Sequence, residues 1–134
     1  MNKKYIFLAA FIITLIIVFI TWDDINVVEV SAEKLSADYI INKAKADELY
    51  LGKKLRIDGV VKAYYKILGA RPVLELETNS DLPVFFFFLS QENETYGSQL
   101  QSGQRVVIKG KCVGVDEYSF VDGVKIEVDE FEER

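Results

Sequence analysis

Histidine is missing altogether, and cysteine occurs once, as Cys112, in a chain of 134 residues. Those absences exclude an intrachain disulfide, a Cys/His zinc site and any acid-base chemistry built on an imidazole. Positive charge is also in short supply. Sixteen Lys and Arg stand against 21 Asp and Glu, a formal net charge of −5. Two of the basic residues, Lys3 and Lys4, lie in the first few positions, so the part after the N-terminal segment is more acidic still, with 14 basic residues against all 21 acids. Affinity for phosphate backbones rests on clustered Lys and Arg, which makes nucleic acid a disfavoured partner.

What the chain has in abundance at its start is apolar side chains. Tyr5 to Trp22 contains no charge and only Thr14 and Thr21 as polar members. About 18 residues just span a hydrocarbon core. Tyr5 and Trp22 bracket the run as interfacial aromatics do, and Lys3 and Lys4 before it, with Asp23 and Asp24 after it, orient the N-terminus to the cytoplasm. A cleaved signal peptide shares the basic start. However, the nearest small-residue site, Val30-Ser31-Ala32, lies about ten residues beyond the run and across acids. The expectation is therefore a cytoplasmic stub and single transmembrane signal-anchor over 1–22, a linker over 23–31, and one extracytoplasmic domain over 32–134, held at the cytoplasmic (inner) membrane. Roughly 110 residues suffice for one small core.

From Ser31 the periodicity is helical: Leu35, Tyr39, Asn42, Ala46 and Leu49 recur at steps of three and four. This predicts one amphipathic helix, capped by Ser31 or Ser36 and stopped by Gly52. Asn42 on its packed stripe needs partners, and nearby backbone is the simplest source. Alternation then takes over. Leu55, Ile57 and Val61 oppose Lys54, Arg56, Asp58 and Lys62, with Gly59 on the buried side, where a missing side chain allows a bulge or a tight coil of the kind a small barrel needs to close. A turn around Gly69 to Pro72 leads into a second strand over Val73–Thr78, and Val84–Leu89 is an apolar third strand whose phase alternation cannot read. A polar loop or short helix over Gln91–Ser102 joins these to strands over Val106–Val113 and Gly123–Asp129. Ile57, Leu76, Ile108 and Ile126 are the expected core. The fold class is mainly β with one N-terminal helix, as a five-stranded, closed or nearly closed barrel.

The run Asn42, Ala46, Tyr50, Gly52, Lys53, Leu55, Ile57, Gly59, Val61, and later Gly103, Val106, Ile108, Gly110, Lys111, Cys112, Gly114, resembles the tRNA-anti-like family of bacterial membrane-anchored OB-fold domains. The resemblance covers about residues 32 to 129 and implies the OB barrel, not a tRNA ligand. It departs from the family in carrying four consecutive phenylalanines, Phe85 to Phe88, in the third strand. Membrane-anchored OB barrels also serve as haem chaperones, which use a histidine that this chain lacks.

No catalytic constellation stands out, so no enzyme is expected. Glu75 with Glu77, and Asp116 with Glu117, read as solvent-facing or loop acids, and Cys112 reads as a small buried side chain. Asp129, Glu130, Glu132 and Glu133 lack the spacing of a calcium loop. No metal or cofactor is expected. The resemblance favours Val84, Phe86 and Phe88 as the inward set, which turns Phe85 and Phe87 outward. With Arg56, Lys62, Tyr64 and Tyr65 these form the candidate ligand-binding surface; the competing reading is that Leu35 and Tyr39 of the helix cover both rings. The expected role is a non-catalytic, membrane-anchored binding module for a protein segment, a glycan or a small ligand. The alternative is a single-stranded nucleic-acid-binding OB domain, using the same tyrosines for stacking beside the lysines.

Overall fold

β2, Lys54–Tyr65, is the strand the domain is wound on, because it is long enough to serve two partners in succession. Its first half pairs antiparallel with β5, Arg105–Val115, from Lys54↔Lys111 to Val60↔Arg105. Its second half pairs antiparallel with β3, Val73–Leu76, from Val61↔Leu76 to Tyr65↔Val73. The computed structural model describes residues 2–66, 68–115 and 122–132. Within these, β3 continues antiparallel to β4, Val84–Phe88, and β4 runs parallel to β6, Val124–Glu132, which returns antiparallel to β5. Because β5 also pairs with β2, the five strands close into a barrel in the order β2, β3, β4, β6, β5.

The interior is what alternation predicted for four strands and what the family's pattern favoured for β4. Leu55, Ile57, Val61, Leu74, Leu76, Val84, Phe86, Ile108, Cys112, Val124 and Ile126 are all at most 1% exposed. Gly59 is not the bulge, however. The register slips at Lys62, between Val61 and Ala63. A Cβ on Gly59 would lie 2.9 Å from Leu76 Cδ1 and 3.2 Å from Ala32 Cβ, so this glycine permits a close approach of a neighbouring strand and helix. The slip reverses the phase of the rest of the strand: Tyr64 packs on the core, with its ring 6.2 Å from that of Phe88, and Tyr65 turns outward.

The single helix expected after Ser31 is two, α2 over Ala32–Ile41 and α3 over Lys43–Tyr50. Asn42 separates them in extended conformation, ending α2 and capping α3 by accepting from the Lys45 amide at 3.1 Å. Asn42 is therefore bonded to nearby backbone, but its break in the helix rotates the second stripe, so Tyr50 rather than Leu49 is buried. Ser31 caps α2, accepting from the Lys34 amide at 3.1 Å. Ser36 instead is buried and ties α2 to Ser80 and the Leu82 carbonyl. Leu35, Tyr39, Ala46 and Tyr50 complete the core. At the other side of the barrel the helix α4, Gln91–Ser98, rests Gly97 on the Phe88 ring.

The stretch expected as linker enters the sheet in its last four residues. β1, Val28–Ser31, adds parallel to β2 from Val28↔Leu55 to Ser31↔Asp58, on the flank that β3 is too short to reach. Four residues with two valines carry too little periodicity to announce a strand. Upstream, α1 runs over Lys3–Ile25, with large apolar side chains exposed along it as far as Val18. Among the described residues no helix is long and apolar enough to cross a membrane.

Candidate ligand-binding face

On the outer side of β3 and β4, pairing sets side chains in two rows. The first row is Ala63, Glu75, Phe85 and Lys125; the second is Tyr65, Val73, Phe87 and Glu127. Residues directly opposite on one face of a sheet are neighbours, so each row is a line of contacts running across four strands. The slip at Lys62 puts a further ammonium beside the first row.

Glu75 is the electrostatic centre of this face. It is 6% exposed, with the Lys62 Nζ at 3.3 Å from its Oε2 and the Tyr65 hydroxyl donating to the same oxygen at 3.4 Å. The expectation that Glu75 was a solvated acid fails because its neighbours along the row are Ala63 and a phenylalanine. A buried carboxylate needs its charge paired, and Lys62 supplies the pairing.

Val84, Phe86 and Phe88 do point inward, and neither Phe85 nor Phe87 belongs to the core cluster. The two outward rings differ, though. Phe85 is only 8% exposed, because Gly123 lies against it: a Cβ there would be 2.6 Å from the ring. Phe87 is half-buried. Leu35 and Tyr39 cover neither, being committed to the barrel core. Phe85 is thus a floor, and Phe87 with Val73 and Tyr65 forms the accessible strip.

Of the six candidate residues, Lys62, Tyr65, Phe85 and Phe87 are brought together, and two are not. Arg56 is drawn into ion pairs elsewhere, its Nε donating to Glu132 Oε2 at 2.6 Å and its Nη1 lying 3.4 Å from Glu29 Oε1, which links β1, β2 and β6. Tyr64 faces inward, where burial raises its phenol's pKa above the ordinary value. The hairpin places Val73 and Glu75 on this outer side from the sequence alone, whereas Lys125 and Glu127 are missed, since their membership follows from the register of β4 with β6, strands distant in sequence. Asp116, Glu117 and Glu133 lie outside the described residues. Among the described residues no cluster of three or more acids or thiols is placed to hold a metal ion.

The order of elements completes the assignment: a three-strand meander, a helix, then two strands that close on the first, with β4 and β6 parallel. The tRNA_anti-like family model matches residues 1–122. The chain belongs to the tRNA_anti-like family. Among solved structures it is similar to a lipoprotein from Klebsiella pneumoniae subsp. pneumoniae MGH 78578 named as nucleic acid-binding, with a TM-score of 0.55 and 20% identity over 76% of this chain and 91% of that one. It is also similar to a protein from Leishmania major Friedlin named as an aspartyl-tRNA synthetase, with a TM-score of 0.54 and 13% identity over 77% of this chain and 20% of that much longer one. At such identities the likeness is one of fold. No curated protein is matched by the chain.

Proposed function

We infer that this tRNA_anti-like chain is a non-catalytic binding module, anchored by α1 in the cytoplasmic membrane with its barrel outside, that holds a protein segment or a glycan on the β3–β4 face. One observation carries the reading. Tyr65, Val73 and Phe87 form an aromatic and aliphatic strip that the closed barrel does not need for its own core. The outer face of these two strands, with the loops at either end, is where OB barrels bind extended ligands.

Charge favours a protein or sugar over a polynucleotide. A phosphate on this strip would approach the Glu75 carboxylate, and the Lys62 ammonium already serves that carboxylate. The single-stranded nucleic-acid reading draws on Lys62, Lys66 and Arg71 near Tyr65. It is separated by salt, because phosphate binding weakens steeply as salt rises, whereas an apolar strip binds with little salt dependence.

Anchoring is supported by the sequence of Tyr5–Trp22, about 18 residues without a charge, the length that just spans a hydrocarbon core. A photo-crosslinking amino acid at Phe87 or Tyr65 in intact cells tests the site. Adducts are expected from both positions and not from Lys45 on α3. Equal yields from all three, or none from any, would remove the face from consideration.

A further inference from the structure

The acidic domain concentrates positive charge in one place away from the β3–β4 face. A cleft of about 590 Å³ is bounded by Asn26, Gly52, Lys53, Lys54, Lys111 and Asp129, with Val28 completing it. Lys54 and Lys111 are direct cross-strand partners on the outer side of the β2–β5 pair. Like charges set opposite each other destabilise a sheet, so this pairing calls for an anion between them. Asp129 answers it in part, its Oδ2 lying 3.8 Å from Lys54 Nζ with both side chains substantially exposed, and Glu127 stands opposite Lys111 on its β6 side. Lys53 adds a third ammonium, held at the rim by donating to the Glu48 carbonyl at 3.1 Å.

The cleft's position identifies the anion. Asn26 is four residues from Trp22, so the cleft begins within about 14 Å of the end of the apolar run, whatever angle α1 takes. Because α1 stays helical to Ile25, the backbone from Trp22 to Asn26 rises only about 6 Å, inside the range of about 8 Å over which charge is felt in physiological salt. Apolar side chains border the same pole. Leu51, just before Gly52, is 46% exposed, and Val113, on the outer side of β5 beyond Lys111, is 48% exposed. They are adjoining pieces of surface, since the Gly52 amide donates to the Cys112 carbonyl and the Cys112 amide to the Lys53 carbonyl. Ammonium groups beside exposed aliphatic ones match a lipid surface, where phosphates and the acyl boundary lie next to each other.

We propose that the Lys53, Lys54 and Lys111 cleft docks the phosphates of anionic lipid headgroups in the bilayer that α1 enters, so that the barrel rests on the membrane by its β5 side. This depends on α1 being an anchor. In the ring of five strands β5 stands opposite the β3–β4 pair, so docking by β5 leaves Val73 and Phe87 uncovered, with Glu127, the partner of Lys111, at the border between the two surfaces.

The test uses the full chain in nanodiscs and the acylation rate of each lysine, read by mass spectrometry. Lys62, toward the far end of β2 from Lys54 with its side chain 58% exposed, serves as the reference. In discs containing phosphatidylglycerol, Lys53, Lys54 and Lys111 should react several-fold more slowly relative to Lys62 than in phosphatidylcholine discs, and high salt should abolish the difference. Equal ratios in the two lipids would overturn the proposal while leaving the anchor intact, because the chain would still co-elute with the discs. A chain that did not co-elute would overturn both. Stronger protection of the three lysines by an added oligothymidylate than by anionic lipid would assign the cleft to nucleic acid instead, and overturn the lipid reading.

Discussion

At the scale of single residues, the two outward phenylalanines show how far alternation reaches. The phase of the third strand follows from the family's pattern, yet phase says only which way a ring points, and the covering of Phe85 by Gly123 comes from a segment nearly 40 residues away. The consequence is a split between neighbours. Phe85→Ser should cost about 3 kcal/mol or more, as large-to-small changes at buried aromatics do. Phe87→Ser should cost about 1 kcal/mol and leave the fold intact. Urea unfolding followed by circular dichroism measures both, and equal losses would mean that the strip is core. A second expectation concerns buried protons. Burial, then the Cys112 sulfur and the Asp47 carboxylate that accepts its hydrogen bond at 3.0 Å, raise the Tyr39 phenol far above its ordinary 10.0. Burial, then the bond to Asp38 at 2.6 Å, does the same for Tyr50, and burial raises the Cys112 thiol above 9.0. All three hold their protons more tightly folded than unfolded. Their contribution is complete below pH 9 and is lost as rising pH ionises first the thiol and then the phenols of the unfolded chain. Stability should therefore fall from about pH 9 upward, and Tyr39→Phe should flatten that decline. An unchanged slope in the variant would count against the buried phenol as its source.

At the scale of elements, the sequence is informative wherever one face of a strand is buried by its own neighbours, and silent where a partner is remote. Four of the barrel strands, the hairpin of β2 and β3 and the inward course of Ile57, Leu76, Ile108 and Ile126 are legible in period-two alternation, and β4 as an uninterrupted apolar run. β1 is not legible, because four residues gain their strand character from the flank of β2. Nor is the break at Asn42: a helix stripe and two shorter stripes joined by a capping residue look alike at steps of three and four. The glycine on the buried side of β2 was legible as special, but its reason was not. Gly59 is where β2, the start of α2 and β3 come closest. Gly59→Ala would press a methyl group to 2.9 Å from Leu76 Cδ1 and 3.2 Å from Ala32 Cβ, and overpacking of this kind costs about 1 to 3 kcal/mol. Pairing with Leu76→Val should recover part of the loss, as a double-mutant cycle would show. Strictly additive losses would mean that the methyl group is accommodated and the cost lies in the backbone.

At the scale of the whole molecule, each proposed part assigns the others a direction. The apolar run delivers the chain to β1, which runs parallel to β2 and so begins beside Lys54, the end of β2 remote from Lys62 and Tyr65. From Lys54 to Tyr65 the strand covers about 36 Å of path at some 3.3 Å per residue, which sets Tyr65 well away from the point of attachment, while Phe87 lies three strands round the barrel from Lys54, through Lys111 and Glu127. An anchor that left the barrel in the cytoplasm would meet nucleic acid there, whereas one that exports it presents the Tyr65, Val73 and Phe87 strip to the envelope, where the proposed partners are protein segments and glycans. The orientation rests on Lys3 and Lys4 before the run and Asp23 and Asp24 after it. It can be checked without knowing the partner. Protease added to intact spheroplasts should remove the barrel, while the protein before digestion pellets with membranes and resists extraction by alkaline carbonate. A barrel protected in spheroplasts but digested after lysis would place it inside and reverse the choice between ligands. A shortened soluble product beginning near Glu33 would mean that the run is cleaved; and because β1 would then be removed with it, that product should also have lost the parallel pairing that covers the first half of β2.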